Sequence, residues 1–444
     1  MTEATGSEQT IDPVARFWQT LCRAGAIKLL VGIAILVNCI SIFSYPSLRH
    51  QQQDFAHYYA SSKLWLEGQT VYGTHLATQY EQLGWTEFDE PIFFATNPPS
   101  LLMLFAPFAS LDPSIAHTVW MLIQLLALAG AVWLVWRCLK DGISLDGFLF
   151  VIAIFLLLPF VKIHLYYSQV QLLVLAMVLF AHRLIIVTGA GKANSGFCGT
   201  VACVAVAIAG LIKIYPLALL PWFVWRSGHK MAGRIGAFLA SSATLAIGVW
   251  LTDFQLWANF IESGLPFVAT WVKAANNCFT IGSATHQIGA LSTGHVDSDF
   301  FIRAGSFFGA FLFATFYFRL VFRTAEPNRS LLNTELALLI LLMLFCGGTC
   351  WWHYLVFLLF PMQVIADLLR DRLSPTVFAA SFITVLLFAN IEFPSTNIEL
   401  LQTLLDQRPL IGMFIMAVFL AFNLKPKHPI AATESFGSRA VLDP

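Results

Sequence analysis

Apolar runs of about 17 to 25 residues, the length a helix needs to cross the hydrocarbon core, recur along this chain. They predict spans near 25–45, 117–137, 147–162, 169–188, 235–252, 300–320, 331–347, 353–369, 375–391 and 409–423. Two stretches break the rule. Segment 99–111 is apolar but only about half a crossing, bracketed by Pro98-Pro99 and Asp112-Pro113. It reads as a re-entrant hairpin or a short span, whose irregular backbone must line protein or a cavity. Segment 197–225 is too long for one crossing and is interrupted by Lys213-Ile214-Tyr215-Pro216, so it reads as two short spans meeting at Lys213. The expected fold is all-α and polytopic, with about 12 or 13 transmembrane helices.

Composition agrees. Hydrophobic residues make up 58% of the chain and charged ones 11%, against roughly 25% charged in a soluble domain. Mean hydropathy is +0.72. The 25 basic and 25 acidic residues cancel, so nothing points to nucleic acid as a partner. Eight cysteines are scattered without a CxxC pair. Cys39, Cys198 and Cys203 fall in apolar runs as small hydrophobes, while Cys278 and Cys350 are the two with a claim to an extracytoplasmic position.

The placement of charge says more than its sum. Arg16, Arg23 and Lys28 open the first span; Arg137, Lys140, Arg183, Lys192, Arg226, His229, Lys230, Arg234, Arg319, Arg323, Arg329, Arg370, Arg372, Lys425 and Lys427 sit at the ends of later ones. All of them fall on the cytoplasmic side if 99–111 does not cross and 197–225 crosses twice. Residues 1–24 are then a cytoplasmic N-terminus, 25–423 one transmembrane domain, and 424–444 a cytoplasmic tail. The run at 26–43 is a retained span and not a signal peptide. Facing outward are 46–98, Lys162 to Gln169, the break at Lys213, the long loop 253–299, Thr349 to His353 and 391–408. The polar residues that matter gather on that side.

The densest of these is Gln53-Asp54-Phe55-Ala56-His57-Tyr58-Tyr59-Ala60-Ser61-Ser62-Lys63-Leu64-Trp65-Leu66. Read as a helix, it puts Asp54, Tyr58, Ser61 and Ser62 on one face and lies in the headgroup region. Asp54 is either the N-cap of that helix or a catalytic carboxylate. Lys213, inside an apolar run, needs a partner, whether a phosphate, a carboxylate or the interface reached by snorkelling. His353, after Cys350-Trp351-Trp352, reads as an interfacial anchor or as an acid–base group near neutral pH. His57 and His164 have weaker claims. Asn276, Asn277 and His286 in the long loop suit a sugar's hydroxyls.

Soluble-enzyme signatures are missing: no GxGxxG, GxxxxGK[ST], GxSxG or HExxH occurs. Asp297 and Asp299 have DxD spacing but stand at the end of a long loop, far in sequence from Asp54. No metal, cofactor or nucleotide-sugar donor is expected.

Taken in order, the motifs resemble glycosyltransferase family 87. They are Asp54-Phe55 with Tyr58-Tyr59-Ala60, Leu64-Trp65-Leu66-Glu67-Gly68, Val71-Tyr72, Asn97-Pro98-Pro99, Phe105-Ala106-Pro107, Ser168-Gln169-Val170-Gln171-Leu172, Leu211-Ile212-Lys213-Ile214-Tyr215-Pro216, Asn276-Asn277-Cys278 and Trp351-Trp352-His353-Tyr354. The resemblance implies a glycosyltransferase-C fold, with interfacial helices in the first extracytoplasmic loop. It implies a polyprenyl-phosphate sugar donor, mannose among the sugars, and a lipid-linked or glycan acceptor. It makes Asp54 the acidic residue of that loop required for activity, and His353 the counterpart of a histidine pair, here flanked by Trp352 and Tyr354. Cys278 stands where the pattern has serine, and Ser168 where it has glycine.

The expected activity is inverting transfer at the outer face of the inner membrane. Asp54, with His353, takes the acceptor's proton; Lys213 meets the donor phosphate; Tyr58, Gln169, Asn276, Asn277 and His286 position sugar or acceptor. A lipid or solute transporter without covalent chemistry is the alternative. It would show polar groups near the bilayer midplane and two similar halves.

Overall fold

The structure is a computed structural model, and it describes residues 25–43, 53–84, 94–139, 143–188, 195–228, 230–266, 268, 278–293, 299–321, 328–369, 386–388 and 399–424. Within them the chain is helical with no strand. Five helices are long and apolar enough to cross a membrane, and a sharply bent pair makes a sixth. Five shorter apolar helices accompany them. The expected span 375–391 falls outside the described residues except for 386–388.

The first half runs through α1 (Ala26–Phe43), α2 (Gln53–Leu66), α3 (Ala77–Gln82), α4 (Pro99–Ala109), α5 (Pro113–Leu139), α6 (Leu145–Leu157), α7 (Pro159–Tyr167) and α8 (Gln171–Thr188). The second half holds α9 (Ser195–Ile212), a 3-10 turn (Tyr215–Leu219), α10 (Leu220–Arg226), α11 (Met231–Leu251), α12 (Phe254–Asn259), α13 (Ile281–Thr293), α14 (Asp299–Val321), α15 (Arg329–Cys346), a second 3-10 segment (Trp352–Leu358), α16 (Leu359–Leu369), α17 (Glu399–Asp406) and α18 (Arg408–Asn423).

Three departures from the sequence reading have local causes. The span expected at 147–162 is instead the α6–α7 pair, bent by 58°. Pro159 forces Leu158 into extended backbone (ψ 146°) and removes an N–H from the ladder. Asn38 of α1 donates to the Leu156 carbonyl at the break (2.7 Å), so a polar group in an apolar span has a purpose. Second, α2 does not present one open face, as a helix lying on a surface would. Residues 55–62 are buried all round, because α4 packs along it, with Phe105 against Phe55 and Tyr58.

Third, the second limb after Lys213 is a 3-10 turn and a seven-residue helix. It runs back along α9: a Cβ on Gly210 would strike Leu217, and one on Gly199 would strike the carbonyl of Ser227. At about 2.0 Å per residue in the 3-10 turn and 1.5 Å in the helix, this limb is about 20 Å long and covers most of the roughly 27 Å of α9 beside it. The break at Lys213 is thus the tip of a hairpin. Gly199→Ala forces the two limbs apart and costs about 1–3 kcal/mol, read as a lowered unfolding temperature of the detergent-purified protein.

Both ends of α4 are tied to α2. Asn97, just before it, hydrogen-bonds His57 (3.0 Å), and the Leu111 carbonyl beyond it accepts from Tyr59 (2.6 Å). An 11-residue helix is about 16 Å long and does not span the core by itself.

The basic ends meet at one pole. Arg329 donates to the carbonyls of Cys138 (2.8 Å) and Arg137 (2.7 Å) at the end of α5. Arg226 donates to Leu320 O at the end of α14 (3.3 Å) and pairs with buried Glu335 (2.7 Å). The opposite end of α5 carries His117 and Trp120, which hold Ser168. His117 and Arg137 lie about 30 Å apart along α5 at 1.5 Å per residue, a hydrocarbon thickness.

Candidate active site

At the pole away from the arginines, segments expected to face outward converge. Asp54 sits in the first turn of α2, where the helix N-terminus favours a negative charge. Its Oδ2 accepts a hydrogen bond from Nε2 of Gln169, and Gln169 Oε1 accepts from the Tyr58 hydroxyl (2.6 Å). One amide therefore bridges two α2 side chains on adjacent turns. Gln169 is placed by Ser168, which adopts the left-handed conformation (φ 56°) and ends α7. That conformation costs a residue with a Cβ about 1–2 kcal/mol. Here Ser168 is held by Trp120 Nε1, donating to its carbonyl (2.8 Å), and by His117 at its hydroxyl (3.0 Å).

Lys213, at the hairpin tip, points over the Tyr58 ring (Nζ 5.8 Å from the centroid) and donates to Asn97 Oδ1 (2.6 Å). Within the protein its hydrogen-bond partner is Asn97, not a carboxylate. A neutral amide holds the ammonium, and among the described residues Lys213 has no direct ion pair. Asn97 Nδ2 in turn donates to His57 Nδ1 (3.0 Å), which leaves Nε2–H to donate to Phe94 O (3.0 Å). Both ring nitrogens of His57 are thereby engaged. Burial lowers its pKa to about 3, so it is neutral and serves as a strut.

Asp54 keeps part of its surface open, yet the surrounding protein strips enough water to raise its pKa to about 6. Desolvation outweighs the opposing pull of Lys213 and of the Gln169 hydrogen bond. A carboxylate with such a pKa is ionised at neutral pH and still basic enough to take a proton in a transition state.

His353 reaches the site from the second 3-10 segment. Its ring meets Tyr167 (6.3 Å) and Tyr354 (4.8 Å). Tyr354 packs on Tyr215 (5.1 Å), two residues from Lys213. His353 therefore stands across the tyrosine cluster from Asp54. The long loop returns at the same place: Phe279 N donates to Cys350 O (2.7 Å), and its ring packs on Trp352 (4.9 Å). Cys278 and Cys350 are buried free thiols.

Of the residues singled out from sequence, Asp54, Tyr58, Gln169 and Lys213 come together directly, and His353 joins them through tyrosines. Asn276 and Asn277 lie outside the described residues. His286 is buried five residues into α13, about 8 Å from the start of that helix. No described contact joins it to Asp54 or Lys213, because α13 runs along α14 and carries it away. Asn97 was visible only as part of Asn97-Pro98-Pro99; its signal was a buried amide before a proline pair. Among the described residues no group of three His, Cys, Asp or Glu is placed to hold a metal ion.

The model of glycosyltransferase family 87 matches residues 95–348, more than half of the chain. The chain belongs to glycosyltransferase family 87. It is a multi-pass membrane glycosyltransferase. The matched segment contains Asn97, Gln169, Lys213 and Tyr215. Asp54, Tyr58 and His353 lie outside it, and hydrogen bonds of Gln169 attach the first two to family positions. Among solved structures, the family 87 enzyme is similar to ArnT from Cupriavidus metallidurans bound to undecaprenyl phosphate. The identity is 13%, covering 90% of this chain and 76% of that one, with a TM-score of 0.41. The curated proteins contain no match.

Proposed function

We propose that this glycosyltransferase moves a sugar, mannose in the first instance, from a polyprenyl phosphate to a lipid-linked or glycan acceptor with inversion. The observation that carries the reading is the meeting of Asp54 and Lys213 around Tyr58, at the pole away from the arginines. The positive-inside tendency makes the arginine pole cytoplasmic. The site then faces out of the cytoplasm from the inner membrane, where a polyprenyl-linked sugar presents its head group.

The chemistry follows from the two charges. An acceptor hydroxyl attacks the anomeric carbon while Asp54 takes its proton. The bond from that carbon to the phosphate oxygen breaks, and its electron pair stays on the departing polyprenyl phosphate. Lys213 offsets the charge that grows there. A single displacement inverts the anomeric centre. Gln169 and Tyr58 orient the carboxylate, His353 lines the far wall, and Asn276 and Asn277 contact the sugar.

Purified enzyme incubated with labelled polyprenyl-phosphate mannose and candidate lipid acceptors tests this directly. Label is expected in the acceptor, with the anomeric configuration inverted by NMR. Transfer from a nucleotide sugar, with none from any polyprenyl-phosphate sugar, would overturn the reading. The pH profile gives a second check. With Asp54 as base, kcat/KM falls about tenfold per unit below the carboxyl's pKa of about 6 and levels off above it. Gln169→Leu removes a group that holds this pKa down, so the acidic limb moves to higher pH. A limb that stays in place would separate Gln169 from the base.

A further inference from the structure

Most buried tyrosine hydroxyls near the site are spent. Tyr58 donates to Gln169 and Tyr59 to Leu111 O. Tyr72 donates to Asn97 O (2.6 Å). Among the described residues Tyr215 is the exception: its Oη is buried with no hydrogen-bond partner there. The ring cannot swing away to find one. Tyr354 (5.1 Å) and Phe357 (5.6 Å) clamp it edge to face, both at 79°, and Pro216 stiffens the backbone after it. The Tyr58 and Tyr354 side chains lie within electrostatic reach of Tyr215, and Lys213 Nζ stands 5.8 Å over the Tyr58 ring, so Tyr215 and Lys213 have Tyr58 as a common neighbour.

We propose that Tyr215 Oη donates, beside Lys213 Nζ, to a non-bridging oxygen of the donor's phosphate. The inference rests on the polyprenyl-phosphate reading above and names a second contact within it. A buried, unpaired hydroxyl is costly and persists where a ligand supplies the missing partner. Lys213 has three N–H donors and gives one to Asn97. Two remain for an anion. An ammonium and a phenol carried two residues apart on one hairpin tip grip two oxygens of a tetrahedral phosphate. The phenol's bond strengthens as the glycosidic bond breaks and the phosphate takes up charge.

The test is Tyr215→Phe, which keeps the ring and its clamp. The probe is polyprenyl phosphate without sugar, followed by its thermal stabilisation of the purified protein and by competition with the labelled donor. Affinity for polyprenyl phosphate is expected to fall about 10-fold or more. The unfolding temperature of the ligand-free variant is expected to stay level or rise, since an unsatisfied hydroxyl is gone. A drop there would mark the hydroxyl as structural and overturn the proposal. So would an unchanged affinity for polyprenyl phosphate, or a loss confined to the sugar-bearing donor, which would put the hydroxyl on the sugar. If the wild-type protein binds no polyprenyl phosphate, the donor reading falls first and this contact with it.

Discussion

Asp54→Asn is expected to lower kcat by about 10²–10⁴-fold while leaving the protein folded. The substitution keeps the shape of the side chain and an oxygen that still accepts from Gln169, so the bridge to Tyr58 survives. What disappears is the base. The sign of the stability change sharpens the test. Burial raises the folded-state pKa of Asp54 from 3.8 to about 6, so the folded protein binds more protons than the unfolded chain between those values. Stability contributed by the neutral form is present at low pH and lost as pH rises through about 6. At neutral pH the ionised carboxylate is therefore a burden to the fold, and the neutral amide is expected to match or exceed wild type in thermal unfolding. An inactive variant that is no less stable than wild type isolates chemistry from folding. Wild-type transfer rates in Asp54→Asn would remove the carboxylate from the mechanism. A variant inactive only because it unfolds is ruled out by the same melting curve.

The second large effect lies at the other pole. Glu335→Gln is expected to destabilise the protein by about 3–5 kcal/mol, the penalty for leaving a buried partner uncompensated. Glu335 is fully buried in α15 and accepts from Arg226 Nε (3.1 Å) and Nη2 (2.7 Å) and from Trp222 Nε1 (3.0 Å). The Arg226 side chain is itself only 7% exposed. The amide still receives the indole but carries no charge to set against the guanidinium. Replacing both partners, as Arg226→Met with Glu335→Gln, is expected to be much less damaging than the sum of the single changes. Melting temperatures of the four proteins form the cycle; additive losses would show that the pair is not coupled. The pair fastens α10 to α15 and so holds the base of the hairpin whose tip is Lys213, about one helix pair's length from the chemistry.

These two sites divide along the line between what was legible and what was not. Much of the layout could be read from the chain, because a bilayer imposes it. An apolar run of sufficient length has few fates, and arginines at its ends choose sides. That physics gave the polytopic helical class and the break at Lys213, and it singled out Asp54 as the carboxylate to watch. It failed where local backbone chemistry intervened. Pro159 turned one expected span into two bent helices, and α4 closed over α2 and drew a surface-seeming helix into the interior.

Only the folded chain decided partners. Gln169 meets Asp54 across 115 positions, Tyr58 meets Gln169 across 111, and Lys213 meets Asn97 across 116. Hydrophobic periodicity carries no record of such pairings, since it reports which face of a helix avoids water and not which neighbour that face touches. Glu335 shows the same limit in reverse. In the sequence it is a lone acid in an apolar run; beside Arg226 it becomes one half of a buried pair. Charge and apolar length along the chain set the topology. The desolvation of Asp54 and the amide that reaches it come from residues far away in sequence.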